Sequence, residues 1–121
     1  DSFHASVQHI AFATDDIFQT AKSLDTHGFS SLPIPANYYA DLAARFDIGS
    51  DRLAQLRMGN ILYDEDAQGK FFQLYSRPFA GGMFFEIIQR TDGYGGYGGP
   101  NAPFRIAAQK RLMRQKGMPK M

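Results

Sequence analysis

Two segments constrain this chain more than any others: Val7-Gln8-His9-Ile10-Ala11-Phe12 and Met83-Phe84-Phe85-Glu86-Ile87-Ile88-Gln89-Arg90. Both are short, apolar and rich in β-branched or aromatic residues, so both read as buried strands. Each holds one metal-capable side chain among apolar neighbours, His9 and Glu86. A carboxylate inside Met-Phe-Phe-Glu-Ile-Ile is costly to bury unless something pairs with it. Any fold that accepts this sequence must therefore bring a partner to Glu86.

The rest of the chain supplies the scaffold. Residues 7–14 read as the first strand, and Thr14-Asp15-Asp16 offers helix N-cap chemistry. Ile17, Phe18, Ala21 and Leu24 recur at helical spacing, and Gly28 marks the stop. Leu32-Pro33-Ile34-Pro35 is extended and cannot sit in mid-sheet. Asn37 is placed to cap a helix over Tyr38 to Phe46, and Ser50 to cap one over Asp51 to Arg57. Strands follow over Asn60 to Asp64, Lys70 to Arg77 and Met83 to Arg90. The order is β-α-β-β-β, an α+β module with extra helices in the first crossover. Its 121 residues suit a single domain, and an apolar fraction of 44% with eleven Phe can fill a core. Residues 91–121 read as a glycine-rich loop and a basic C-terminal helix with Gly117 and Pro119 as stop signals.

Composition excludes several classes. The chain has no cysteine, so neither disulfides nor thiolate metal sites are available. A formal net charge of +1 argues against a nucleic-acid partner. No apolar run approaches the ~18 residues that a membrane helix needs, and Asp1-Ser2-Phe3-His4 does not resemble a signal peptide. A cytoplasmic location is the expectation. Asp1 in place of an initiator Met reads as a trimmed or cut start.

Strand parity sorts the candidate site residues. Val7, His9, Ala11 and Ala13 share a face, as do Phe71, Gln73, Tyr75 and Arg77, and Phe84, Glu86 and Ile88. If those faces meet, they form an aromatic-lined cup holding an imidazole, an amide and a carboxylate. His9 and Glu86 would then be two of the three protein ligands of a 2-His-1-carboxylate iron site. The plainer reading makes His9 a core histidine bonded to a backbone carbonyl and Glu86 the partner of Arg77 or Arg90. His4 falls on the opposite strand face, and His27 complements a helix C-terminus. Asp64-Glu65-Asp66 reads as solvated turn chemistry. The segment Gly93-Tyr94-Gly95-Gly96-Tyr97-Gly98-Gly99-Pro100 fits no phosphate-binding fingerprint; it reads as a flexible linker or an aromatic lid. Lys110, Arg111, Arg114 and Lys116 read as the wet face of a helix.

Several motifs in order carry a resemblance: Gln8-His9-Ile10-Ala11, Asn37-Tyr38-Tyr39, Ile61-Leu62-Tyr63-Asp64, Phe72-Gln73-Leu74-Tyr75, Phe84-Phe85-Glu86-Ile87-Ile88-Gln89-Arg90-Thr91, and a Gly-Gly-aromatic-Gly-x-x-Asn segment ending at Asn101. From about Val7 to Asn101 the chain resembles the C-terminal half of the 4-hydroxyphenylpyruvate dioxygenases, of the vicinal oxygen chelate (glyoxalase/dioxygenase) fold. The resemblance implies paired β-α-β-β-β modules around Fe(II). It makes His9 and Glu86 metal ligands and leaves the remaining histidine to a preceding module. It assigns Gln73 and Phe84 to the substrate pocket, walled further by Tyr75 and Tyr97. The implied chemistry is decarboxylation of a small 2-oxo acid and hydroxylation of its aromatic ring. Cobalt, magnesium, manganese and zinc are the other metals that the ligand set admits.

Two departures bear on the substrate. Tyr75 stands where the family usually has a stacking phenylalanine, and Ala102 where it has a lid phenylalanine. Both point to a smaller or more polar ligand. The tail Asn101-Ala102-Pro103-Phe104-Arg105-Ile106-Ala107-Ala108-Gln109 is similar to a bacterial group in which a 3-dehydroshikimate dehydratase barrel precedes a dioxygenase-like half. Three functions follow: the metal-binding half of a dioxygenase, an accessory domain of a fused dehydratase, or a homodimer whose two His9–Glu86 pairs complete a glyoxalase-like site. In each case an upstream module or a second copy closes the barrel.

Overall fold

The chain forms strand β1 (His9–Ala13), helices α1 (Ile17–Thr26), α2 (Ala36–Arg45) and α3 (Ser50–Met58), strands β2 (Leu62–Glu65), β3 (Lys70–Tyr75) and β4 (Phe84–Thr91), and helix α4 (Ala102–Gln115). This computed structural model describes residues 9–115. His4, Val7, Gln8, Lys116, Gly117 and Pro119 lie outside the described residues, so the expectations resting on them find no test there. The strands form one mixed sheet in the order β1-β4-β3-β2. β1 runs parallel to β4, and the β2-β3 and β3-β4 pairs are antiparallel. The α+β module with helices in its first crossover is the architecture expected.

One sheet face carries the core. Phe72 and Leu74 of β3 and Ile87 of β4 are buried. Helix α1 packs on them, with Phe18 edge-on to Phe72 at 5.6 Å. Gln89 fixes the angle of entry: its Oε1 accepts from the Ile17 backbone N–H at 2.9 Å, and its Nε2 donates to the Asp15 carbonyl at 2.9 Å. Asp16 caps the helix, accepting from the Gln19 N–H at 3.1 Å. His27 closes it through Nδ1, 2.7 Å from the Ser23 carbonyl.

Some expectations fail locally. Neither Asn37 nor Ser50 caps a helix; the caps are Pro35 and Gly49, without side-chain bonds. The extended Pro33-Ile34-Pro35 segment delivers the chain already poised for the first turn, which closes with the Tyr38 N–H on the Pro35 carbonyl at 3.0 Å. β2 starts two residues later than expected, because Asn60 takes a positive φ of 55° and its side chain holds the Ile34 N–H and the Ser31 hydroxyl. β1 is not a buried strand, since all five of its residues are exposed. It is an edge strand with Ile10 and Phe12 open to solvent on the core-side face.

The acidic turn and the glycine loop are bound together. Asp64 is buried and accepts from the Tyr94 hydroxyl, so it is not solvated turn chemistry. Burial first, then that bond, pushes the Tyr94 hydroxyl up to about 12. Asp66 accepts from the N–H groups of Gln68, Gly69 and Gly95, and the Gly95 bond leads in holding its carboxyl below the usual range. The loop is no free linker: of its two tyrosines, Tyr94 is buried and stacks on Phe71 at 4.9 Å, and Tyr97 stands out to solvent.

Candidate metal and ligand site

Strand register decides what meets on the other sheet face. Ala11 of β1 and Tyr75 of β3 flank Glu86 of β4, while His9 lies beside Phe84 and Gln73 beside Ile88. His9, Gln73, Tyr75, Phe84, Glu86 and Tyr97 all line one cavity of about 410 Å3. The six residues singled out from the sequence therefore share one space.

Glu86 is buried, at 8% exposure, and His9 stands at its open side. His9 Nε2 is 3.1 Å from Glu86 Oε1, and the imidazole stacks on the Phe84 ring at 5.1 Å and 8°. Glu86 Oε2 accepts from Gln73 Nε2 at 2.8 Å. The partner of Glu86 is thus neither Arg77 nor Arg90. His9 is not a core histidine bonded to a carbonyl either, because its side chain is 48% exposed and its Nε2 faces the carboxylate.

Behind Glu86 runs a chain of hydrogen bonds whose direction is fixed at its far end. The backbone N–H of Tyr63 can only donate, and it does so to the Tyr38 oxygen at 2.8 Å. The single Tyr38 proton goes to Asn101 Oδ1 at 2.7 Å, the nearer of its two acceptors. Asn101 Nδ2 then donates to Gln73 Oε1 at 2.7 Å. Gln73 must in turn aim Nε2 at Glu86 Oε2 and at the Tyr75 oxygen, each at 2.8 Å. The chain ends at Glu86, whose Oε2 accepts from Gln73. The Tyr75 oxygen accepts from Gln73 and lies beside Glu86 and Arg105. Burial, then the Glu86 charge, holds that hydroxyl well above the ordinary tyrosine range, with Arg105 opposing. Tyr75 is therefore a neutral donor near pH 7.

Three contributors escaped the sequence reading of the site. Asn101 is fully buried and positions Gln73. Arg105 lies over Phe84 at 4.9 Å and near Tyr75 at 5.8 Å. Arg90 lies over Phe71 at 4.7 Å and Tyr97 at 5.4 Å, and its Nη1 donates to the Gly96 carbonyl at 2.5 Å. A signal for Arg105 was present: it follows the cavity-lining Ala102 by three residues, one helical turn along the same face. Gly98 allows the chain to approach: it has φ +69°, and a Cβ there would fall 2.4 Å from Gln73 Oε1.

The donor set suits a divalent metal. An imidazole nitrogen and a carboxylate oxygen converge from neighbouring strands, and an amide orients the carboxylate from behind, as outer-shell groups do in metal sites. Among the described residues no group of three or more His, Cys, Asp or Glu side chains converges, so these residues offer a pair of ligands rather than a full set.

No family model matches the chain. It is 47% identical over 111 residues to the 3-dehydroshikimate dehydratase of Pseudomonas aeruginosa, covering 91% of this chain and 18% of the relative. It is 34% identical over 111 residues to the 4-hydroxyphenylpyruvate dioxygenase of the same organism, covering 89% and 31%. Among solved structures, a xylose isomerase-like TIM barrel/4-hydroxyphenylpyruvate dioxygenase fusion protein superposes with a TM-score of 0.83 at 50% identity, covering 88% of this chain and 17% of that one. The chain spans between about a fifth and a third of the length of these relatives. Over most of its length the chain is similar to one module of the 4-hydroxyphenylpyruvate dioxygenase-like proteins, and its fold is that of the vicinal oxygen chelate modules.

Proposed function

We propose that this module supplies His9 and Glu86 as two ligands of an Fe(II) site that binds a small oxo acid inside a larger protein. The approach of His9 Nε2 to Glu86 Oε1, 3.1 Å across neighbouring strands, carries the reading. Bound there, iron(II) would supply a Lewis-acidic centre able to chelate a 2-oxo acid and activate dioxygen. The protein's own part is positional. Gln73 holds the second Glu86 oxygen, so the first stays free for the metal. Phe84 fixes the imidazole plane. Phe84 and Tyr75 wall the ligand space, and Tyr97 stands at its mouth. The sheet is open along β1, and an upstream module of the longer protein closes it and adds the missing histidine.

Cobalt(II) titration without oxygen tests this. The chain should bind one cobalt per His9–Glu86 pair, with a visible ligand-field band that His9→Ala and Glu86→Gln both remove. Equal uptake by the double variant would sink the reading.

The identities favour a second reading of what the whole protein does. At 47% the dehydratase relative exceeds the dioxygenase relative at 34%. In that setting the module binds metal and ligand as an accessory domain of a fused dehydratase, without oxygen chemistry. Oxygen uptake by the longer polypeptide with aryl 2-oxo acids separates the two. Consumption favours the dioxygenase; none, with dehydratase assembly lost when this segment is deleted, favours the accessory domain.

A further inference from the structure

The cavity has a further polar group on its α4 side, next to Glu86. Arg105 projects from the first turn of α4 into the cavity, over the Phe84 ring. Its one hydrogen bond among the described residues is from Nη1 to Gln109 Oε1 at 3.1 Å. It makes no ion pair with any carboxylate there; Glu86, the cavity's own carboxylate, is held by His9 and Gln73 instead. Beside the guanidinium is the Tyr75 hydroxyl, which accepts from Gln73 and so has a proton to give. Ala102, one turn back on the helix, leaves the space in front of both unfilled. Arg90 differs, because the Gly96 carbonyl and the Phe71 and Tyr97 rings already occupy it.

A guanidinium with no ion pair among the described residues, lying over an aromatic ring next to a hydroxyl, is a receptor for an anionic oxygen group. We propose that Arg105, with the Tyr75 hydroxyl beside it, binds a carboxylate of the ligand on the α4 side of the cavity. The ligand class is a ring-bearing acid: aromatic walls take the ring, and Arg105 with Tyr75 takes the carboxylate. The chelating end of this assignment rests on the metal-site reading above, whereas the receptor itself needs no metal.

The test uses the metal-free chain, with benzoate as probe and benzamide as its uncharged isostere. Benzoate should shift the Arg105 Nε–H and the Gly98 and Ala102 amide signals in nitrogen-15 NMR spectra. Benzamide should bind at least about tenfold more weakly, and Arg105→Gln should weaken benzoate by about tenfold or more, the range of a charge-assisted hydrogen bond. Tyr75→Phe should weaken it several-fold, and Arg105→Lys, which keeps the charge without the fork, should fall between wild type and Arg105→Gln. The same spectra report folding of each variant. Benzoate binding that is absent, or indifferent to both Arg105 variants, overturns the receptor. Cobalt uptake, measured in parallel, should be untouched by Arg105→Gln and lost in His9→Ala. Benzoate binding without cobalt uptake leaves the receptor standing and removes the metal site; cobalt uptake without benzoate binding does the reverse.

Discussion

Asn101 shows how a residue outside the ligand set can govern it. Its amide is buried between Tyr38 and Gln73, and it passes a donor direction set by the Tyr63 N–H on to Glu86. Asn101→Ala leaves Gln73 Oε1 without its partner and turns the Tyr38 proton to its longer acceptor, the Tyr63 carbonyl at 3.1 Å. At about 1–3 kcal/mol for an unsatisfied buried group, the variant should lose about that much in urea unfolding. It should also bind cobalt about tenfold or more weakly, because Gln73 no longer has one preferred orientation. Unchanged cobalt affinity would show that Gln73 is held without Asn101. Gly98→Ala acts on the same contact from the other side. The new Cβ meets Gln73 Oε1 and Phe71 and must also tolerate φ +69°. The expected loss is about 2 kcal/mol or more, read as a lower urea midpoint together with weaker cobalt binding. Neither contact was legible in the sequence. His9 and Glu86 stood out because each is an ionisable group in an apolar strand, a purely local signal. Asn101 and Arg105 reach the site only because α4 folds back over it.

At the scale of elements, the strands were readable because a period of two needs no long-range information. The faces assigned by parity on β1, β3 and β4 are those that line the cavity. What parity does not carry is register, and register is what sets Glu86 between Ala11 and Tyr75. Helix starts fared worse. Asn37 and Ser50 have capping side chains, but the backbone arriving through Pro35 and Gly49 enters the helix one residue or more earlier. Helix α2 has a measurable signature of its own. Its Tyr39 hydroxyl donates to the Ile61 carbonyl at 3.0 Å, and burial holds the Tyr38 and Tyr39 hydroxyls, like that of Tyr75, above the ordinary range. Tyrosines in the unfolded chain ionise near pH ~10. These groups have raised folded values, so their contribution is whole below that pH and is lost as pH rises toward the folded values, because only the unfolded chain gains by ionising. The urea midpoint should hold steady from about pH 8 to 9.5 and fall above about pH 10. Tyr39→Phe should cost about 1 kcal/mol near pH 8 and make the alkaline fall shallower. A variant with the wild-type alkaline slope would show that Tyr39 is not among the groups responsible.

At the scale of the whole molecule, the sheet is unfinished on the side where the metal site opens. All five residues of β1 are exposed, His9 among them, and Ile10 and Phe12 present apolar surface along the same edge. A closed metal site shields its ligands, but here the carboxylate is buried and the imidazole is at the rim. The chain spans only 18% and 31% of these two relatives' lengths, which fits the proposal that another module or a second copy forms the other wall of the cavity. That explains why the sequence revealed two ligands and no third: a local pattern cannot display a residue carried by another module. It also yields a direct test. With two protein ligands, cobalt keeps several exchangeable positions, and free imidazole can stand in for the histidine that the module lacks. Added imidazole should intensify and shift the cobalt band of the wild-type chain and tighten cobalt binding by about tenfold or more, the worth of one well-placed ligand. His9→Ala should need two imidazoles to reach the same spectrum, and Glu86→Gln should not reach it at all. If imidazole leaves the wild-type spectrum unchanged while cobalt is bound, the site is already complete without a further histidine. The His9–Glu86 pairs of two copies would then have to share one metal, and the mass of the cobalt complex would be that of a dimer.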